Sequence, residues 1–150
     1  MESYGLFRSD GSPRPAATAY QVAVERLSGF RHLYHITNPT YHQVTFVSAT
    51  NVTHVAWARE AESVLLRIAA NPGATSASLI NQRGTVTQLV SEGGDYRLEL
   101  NGAHCLVDSG ECIVGGEPQL LVEQLGCDPS FLKHQRKCVL WLAAGAGPAG

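Results

Sequence analysis

The sequence predicts a mainly β protein, an antiparallel β-sandwich of about eight strands preceded by one α-helix. Residues 16–28 show apolar residues at helical spacing. Beyond residue 30 the spacing changes to strict alternation, which is typical of half-buried strands. Gly, Pro, Asn and Asp separate these segments at intervals of roughly 8–12 residues, the rhythm of a sandwich or barrel. Strand–helix–strand alternation is not visible, so a parallel α/β fold is not expected.

The helix carries an apolar stripe at i, i+3, i+4 and i+7 spacing. The stripe consists of Ala16, Ala19, Tyr20, Ala23 and Leu27. Pro15 suits the first helical turn, and Gly29 suits the position after the last one. An apolar stripe of this kind needs a partner surface.

Eight segments then alternate between apolar and polar residues. They are residues 31–37, 43–49, 53–58, 63–69, 76–81, 86–90, 95–101 and 119–123. The clearest is 95–101, in which Tyr96, Leu98 and Leu100 share one face. We therefore expect a sandwich over residues 30–124. Residues 125–150 lose the pattern and end in Gly and Ala, so an irregular and partly disordered tail is expected there.

Composition argues against several classes of protein. Lys and Arg number 11 against 13 acidic residues, a formal net charge of −2, so no nucleic-acid partner is expected. The apolar runs fall far short of the ~20 residues of a membrane helix. The first residues lack a basic and then apolar segment, so no signal peptide is visible.

Neither a metal nor a cofactor is expected. His32, His35 and His42 are the closest histidines, but positions 32 and 35 point to opposite faces of a strand. The spacing Gly145-x-Gly147-x-x-Gly150 matches a dinucleotide fingerprint, yet no helix follows it to bind a pyrophosphate.

The cysteines favour one disulfide. Cys105 and Cys112 flank Asp108-Ser109-Gly110, a turn that can bring them within bridging distance. A disulfide would imply an oxidising compartment, and two unpaired cysteines are the alternative. Cys-x-x-Cys pairs are absent from the sequence, so a structural zinc is not expected. Cys127 and Cys138 receive no role.

Two features of the sequence bear on carbohydrate chemistry, and paired carboxylates are the first. Glu60 and Glu62 can share a strand face, as can Asp95 and Glu99, and a glycosidase needs two such groups. The alternative is that these carboxylates have no catalytic role, because the solvent-exposed face of a half-buried strand ordinarily carries charged residues.

Exposed aromatic rings are the second feature, because sugar C–H faces stack on them. The candidate ligand-binding residues are Trp57, Tyr41 and Arg59, with Tyr34 nearby in the sheet region. Packing of Trp57 in the core under Arg59, on the same strand face, is the alternative.

The order of several motifs resembles the C-terminal part of a clan A glycoside hydrolase of the family 39 type. Residues 4–16, YGLFRSDGSPRPA, look like the segment that leaves the eighth strand of a (β/α)8 barrel and enters its last helix. The stretches VTF (44–46), VAWAR (55–59), GDYRLEL (94–100), GAHC (102–105), IVGGEP (113–118) and LLVE (120–123) resemble the accessory sandwich that follows.

This resemblance implies a division of the chain and a role. Residues 1–29 would be the barrel-end loop and last helix, and the sandwich would brace the barrel of a retaining enzyme. In such barrels the two catalytic glutamates lie on the fourth and seventh strands, and no residue here matches them. The expectation is a non-catalytic accessory domain, extracellular or periplasmic, whose partner is the barrel. The alternatives are a free-standing carbohydrate-binding or adhesion module, a small hydrolase that uses Glu60 or Glu99, and self-association through the helix.

Overall fold

The structure is a computed structural model that describes residues 5–105 and 112–126. Its elements in chain order are α1 (Pro15–Leu27), β1 (His32–Thr37), β2 (Tyr41–Val47), β3 (Asn51–Ala58), β4 (Val64–Ala69), β5 (Ala74–Asn81), β6 (Val86–Leu89), β7 (Asp95–Leu100), β8 (His104–Cys105), β9 (Cys112–Val114) and β10 (Gln119–Leu125). The predicted fold class is confirmed, because one helix precedes strands that pair in antiparallel sheets.

The larger sheet has six strands in the order β1-β2-β3-β10-β5-β6. The last strand, β10, lies in the middle of the sheet and pairs with both β3 and β5. The two halves of the sheet are therefore joined only when β10 is in place. Successive residues of β10 point to opposite faces, and Leu120, Leu121, Val122 and Glu123 are all buried. Both faces of this sheet are therefore covered at its centre.

One face packs against a second sheet, formed by β4 and β7. The larger sheet contributes Leu121 and three small side chains, the alanines at 56, 58 and 77, and the smaller sheet contributes large ones. The core between them consists of Ala56, Ala58, Leu66, Ile68, Ala77, Tyr96, Leu98, Leu100 and Leu121. Large groups opposite small ones fill the space between the two layers, which makes this the hydrophobic core of the sandwich.

Helix α1 covers the opposite face of the larger sheet. Pro15 opens the helix, and Gly29, with a φ of 74°, follows its end. Val22 is the buried residue of the helix and packs with Ile80, Leu120 and Val122. The predicted stripe is wrong in this respect: it omitted Val22, whereas its members Ala16 and Tyr20 are exposed. The sheet meets a narrower side of the helix than periodicity alone suggested.

Two glycines allow backbone segments to approach closely at one end of the sandwich. A Cβ on Gly116 would collide with the carbonyl oxygen of Asn101, and one on Gly102 would collide with that of Ala61. The two segments carrying these glycines connect β7 to β8 and β9 to β10. Only glycine permits so close an approach of two backbones.

Several predictions concern residues at the margin of the described structure. The short strands β8 and β9 were not predicted, and they place the backbones of Cys105 and Cys112 opposite each other. The predicted disulfide is not supported: no disulfide is found in the described residues, and the side chains of both cysteines lie outside that part. Cys127, Cys138 and the predicted tail also lie outside it. Within the described residues, no helix is long and apolar enough to span a membrane.

Candidate functional site

An open groove lies on the same face of the larger sheet as α1. It has a volume of about 480 Å³ and is lined by strand, turn and loop residues. These are Val55, Trp57, Gln82, His104, Gly115, Gly116, Glu117 and Pro118. Val55 and Trp57 project from β3, and residues 115–118 form the connection from β9 to β10. Pockets of this size accommodate small molecules.

Trp57 forms an apolar wall of the groove. A Cβ on Gly115 would lie 2.6 Å from Cδ1 of the indole, so the glycine lets the loop backbone rest on the ring edge. The indole also contacts His42, with ring centroids 5.2 Å apart. The ring is therefore held between β2 and the loop that precedes β10.

The polar wall is a hydrogen-bonded pair. Gln82 Nε2 donates to Glu117 Oε1 at 2.8 Å. Gln82 lies in the turn after β5, which Asn81 fixes because its Oδ1 accepts from the backbone N–H groups of Arg83 and Thr85. His104, on β8, is exposed at the groove. The second oxygen of Glu117, the amide oxygen of Gln82 and the imidazole supply further hydrogen-bonding capacity.

Two histidines, His42 and His35, extend the ring contacts of Trp57 from β3 to β2 and β1. His35 Nε2 and His42 Nδ1 are 3.3 Å apart, and Thr37 Oγ1 is 3.4 Å from the same Nε2. Burial lowers the pKa of His42, and the charges of Arg59 and His35 lower it further. The described residues contain no group of three or more His, Cys, Asp or Glu side chains placed to hold a metal ion.

The structure separates the three residues predicted to bind a ligand. Trp57 lines the groove, whereas Tyr41 points to the opposite face and packs against the hydrophobic core. Arg59 Nη1 donates to the carbonyl oxygen of Asn38 at 3.1 Å, which ties the end of β3 to the turn between β1 and β2. Of the three, Trp57 alone belongs to the groove.

A second polar cluster lies between the two sheets. His54 Nδ1 is 2.9 Å from Thr45 Oγ1, and His54 Nε2 is 3.3 Å from Glu123 Oε2. Glu123 Oε1 accepts the backbone N–H of Asn71 at 2.8 Å. Burial raises the pKa of Tyr96, and the charge of Glu123 and its hydrogen bond to the phenol act in the same direction. We call Thr45, His54, Glu123, Tyr96 and Asn71 the core polar cluster.

Within the core polar cluster, Thr45, His54 and Glu123 are connected in the order of a hydroxyl nucleophile, a base and an acid. A substrate could not reach them, however. Glu123 is completely buried, and none of the cluster's side chains lines the groove. A general base must reach a substrate proton, directly or through one water. The arrangement instead satisfies buried polar groups and joins β2, β3, β7 and β10 to the crossover after β4, which is a structural role.

The predicted carboxylates show no comparable organisation. Glu60 and Glu62 lie exposed in the turn between β3 and β4. Glu99 is exposed on β7, opposite Leu65 of β4. None of these three carboxylates lines the groove.

Sequence reasoning missed Gln82, His104 and Glu117 because each lies in a turn, a short strand or a loop, where no periodicity marks it. It also missed the His35–His42 contact. That contact arises from the register of β1 and β2, in which Thr37 pairs with His42 and His35 is the diagonal neighbour of His42 on the same face.

The fold and groove define a β-sandwich domain with an attached helix and an open surface site. Several solved structures are similar to it, among them two glycoside hydrolases. A family 39 glycoside hydrolase from the gut symbiont Bacteroides cellulosilyticus WH2 matches 81% of this chain at 25% identity, with a TM-score of 0.58. A GH30 endoxylanase from Clostridium papyrosolvens C71 matches 80% at 11% identity, with a TM-score of 0.56.

The predicted resemblance to part of a clan A glycoside hydrolase is thus confirmed. This chain spans only 22% of the family 39 chain and 30% of the endoxylanase chain. It therefore corresponds in structure to a fragment of such enzymes, and its similarity fits an accessory domain. No protein-family model matches the sequence, and no curated protein does either.

Proposed function

We propose that this chain is a non-catalytic accessory β-sandwich that braces the catalytic barrel of a glycoside hydrolase. The observation that carries the proposal is the exposed side of α1. Val22 packs on the sheet, while Tyr20 and Val24, on the opposite side of the helix, are 62% and 51% exposed. Leu6 and Phe7, in the loop immediately before α1, are exposed as well.

Exposed apolar residues stabilise a complex when a partner removes them from water. Burying a Val or an aromatic side chain contributes about 1.5–3 kcal/mol. The loop and helix that present these residues are the segment whose sequence resembles the end of a barrel. A barrel that covers them would leave the two-stranded sheet of β4 and β7 facing away, because α1 and that sheet lie on opposite faces of the larger sheet.

The test is binding to a barrel that lacks its own sandwich. The barrel of the Bacteroides family 39 enzyme is co-expressed with this chain, and complex formation is followed by co-purification and by titration. We expect Tyr20→Lys and Val24→Lys each to weaken binding by about tenfold, the loss of roughly one buried contact. The matched control is Leu65→Lys, because Leu65 is 62% exposed on β4, away from α1.

Absence of a complex, or equal effects of all three substitutions, would overturn the bracing role. A chain that forms stable homodimers disrupted by Val24→Lys would point instead to self-association through the helix. Sedimentation equilibrium of the chain alone distinguishes that outcome from the heterologous complex.

The location forms part of the same proposal. We propose an extracellular or periplasmic protein, as many glycoside hydrolases are. Fractionation of cells that produce the complete natural polypeptide tests this, and an intracellular pool alone would contradict it.

A further inference from the structure

We infer that the Trp57 groove is a binding site for a neutral pyranose sugar. This inference concerns the chain by itself and does not depend on the barrel. Its basis is the combination of apolar residues around Trp57 with the hydrogen-bonding side chains of Gln82, His104 and Glu117 in the lining of one cavity of about 480 Å³.

The apolar wall suits the C–H face of a sugar ring. Trp57, Val55 and Pro118 supply it, and contacts with His42 and with the backbone at Gly115 restrain the indole. The face of an aromatic ring carries partial negative charge and attracts the weakly positive axial C–H groups of a pyranose. A fixed ring loses little conformational entropy on binding.

The polar wall suits hydroxyl groups. Each hydroxyl both donates and accepts, so its site needs both kinds of partner. The carboxylate of Glu117 accepts only, the amide of Gln82 does both, and His104 does either according to its tautomer. Because Gln82 already donates to Glu117, the two side chains are fixed before any ligand arrives. This preorganisation favours a ligand whose hydroxyls bridge the pair.

Two other ligand classes fit less well. A phosphate or other anion would face the carboxylate of Glu117 without an Arg or Lys in the lining. A quaternary ammonium group is bound in cages of several Trp, Tyr or Phe rings, and Trp57 is the one such residue among the lining residues. The groove therefore matches a neutral polyhydroxyl compound of one or two pyranose rings.

The experiment titrates the purified chain with xylobiose, cellobiose, choline and inorganic phosphate, each as a separate arm. Calorimetry gives the affinity, and saturation-transfer NMR reports which ligand protons contact the protein. We expect a disaccharide to bind with a Kd on the order of 1 mM, as befits an open site. Saturation should be strongest at the ring C–H protons, because they lie on the indole.

Two variants and one control assign the site. Glu117→Ala should weaken sugar binding by about tenfold, the equivalent of one hydrogen bond to a charged group. Trp57→Phe keeps a ring in place and should reduce the saturation of ring protons. Glu99→Ala, which removes an exposed carboxylate outside the groove, should leave the affinity unchanged.

Three results would overturn the inference: binding of neither disaccharide, binding of choline or phosphate in preference to a sugar, or sugar binding that Glu117→Ala and Trp57→Phe leave intact. The circular dichroism spectrum of each variant verifies its fold, and if Trp57→Phe unfolds, Glu117→Ala alone decides.

Discussion

Removal of the Glu123 side chain should cost this protein a large part of its stability. Glu123 is completely buried at the centre of the core polar cluster. Its Oε1 accepts from the backbone N–H of Asn71 at 2.8 Å, and its Oε2 lies 3.3 Å from His54 Nε2. It also forms a hydrogen bond with the phenol of Tyr96. Glu123→Ala therefore removes the shared partner of three polar groups, of which Tyr96 is buried and His54 and Asn71 are half-buried.

The magnitude follows from those three groups. A buried polar group left without a partner costs about 1–3 kcal/mol. Tyr96 carries the full cost, whereas water entering the space rescues part of the cost at the half-buried His54 and Asn71, so the total is roughly 3–6 kcal/mol. Typical domains are stable by only about 5–15 kcal/mol, so the loss approaches half of the total. Glu123→Gln should cost less, about 1–2 kcal/mol, because the amide oxygen still accepts from Asn71 and His54 can change tautomer.

Urea unfolding followed by circular dichroism measures these changes. Glu99→Ala is the matched control, since it removes an exposed glutamate from β7 and should change the free energy of unfolding by less than ~0.5 kcal/mol. The reasoning would be refuted by an E123A protein within about 1 kcal/mol of the wild type. It would equally fail if Glu123→Gln cost as much as Glu123→Ala.

Three further expectations concern backbone packing and pH. Gly116→Ala should destabilise the fold by about 3 kcal/mol in the same urea assay, because its methyl group meets backbone. Gly73→Ala, where a Cβ has ordinary contacts, should have a small effect. The raised pKa of Tyr96 means that the unfolded chain loses this proton first, so stability should fall as the pH rises above ~10, and less so in Tyr96→Phe. The NMR titration midpoint of His42 should lie below 6.5, and Arg59→Gln should raise it; an unchanged midpoint would contradict the charge effect.

The strands were predictable because alternation is a local property. The strand over Asp95–Leu100 was predicted with one residue too many, and the strand over Gln119–Leu125 was predicted two residues short. The short strands at 104–105 and 112–114 carry no alternating signal, since two or three residues are too few to show one. The helix was located correctly, but its buried side was not, because a helix with Tyr20 and Val24 on one side and Val22 on the other offers apolar residues all round.

The core polar cluster depended on pairing between distant strands, which periodicity does not report. His54 and Glu123 are 69 positions apart, and they meet because β10 inserts beside β3. One local signal did exist. In the run Leu-Leu-Val-Glu, Glu123 shares its strand face with Leu121, so an acid occupies the face that points into the core. A lone carboxylate in that position predicts a buried partner.

Strand β10 links the stability of this domain to both of its proposed surfaces. Its Leu120 and Val122 hold α1, and its Leu121 and Glu123 hold the second sheet. The loop that enters β10 supplies one side of the groove. Loss of β10 packing should therefore disturb helix and groove together, so substitutions there cannot separate folding from binding. Gln82 and Glu117 interact with each other in the lining of the groove, outside both hydrophobic clusters. Their substitution should change ligand affinity while the urea midpoint stays constant, and a parallel loss of stability would mean that the pair serves the fold.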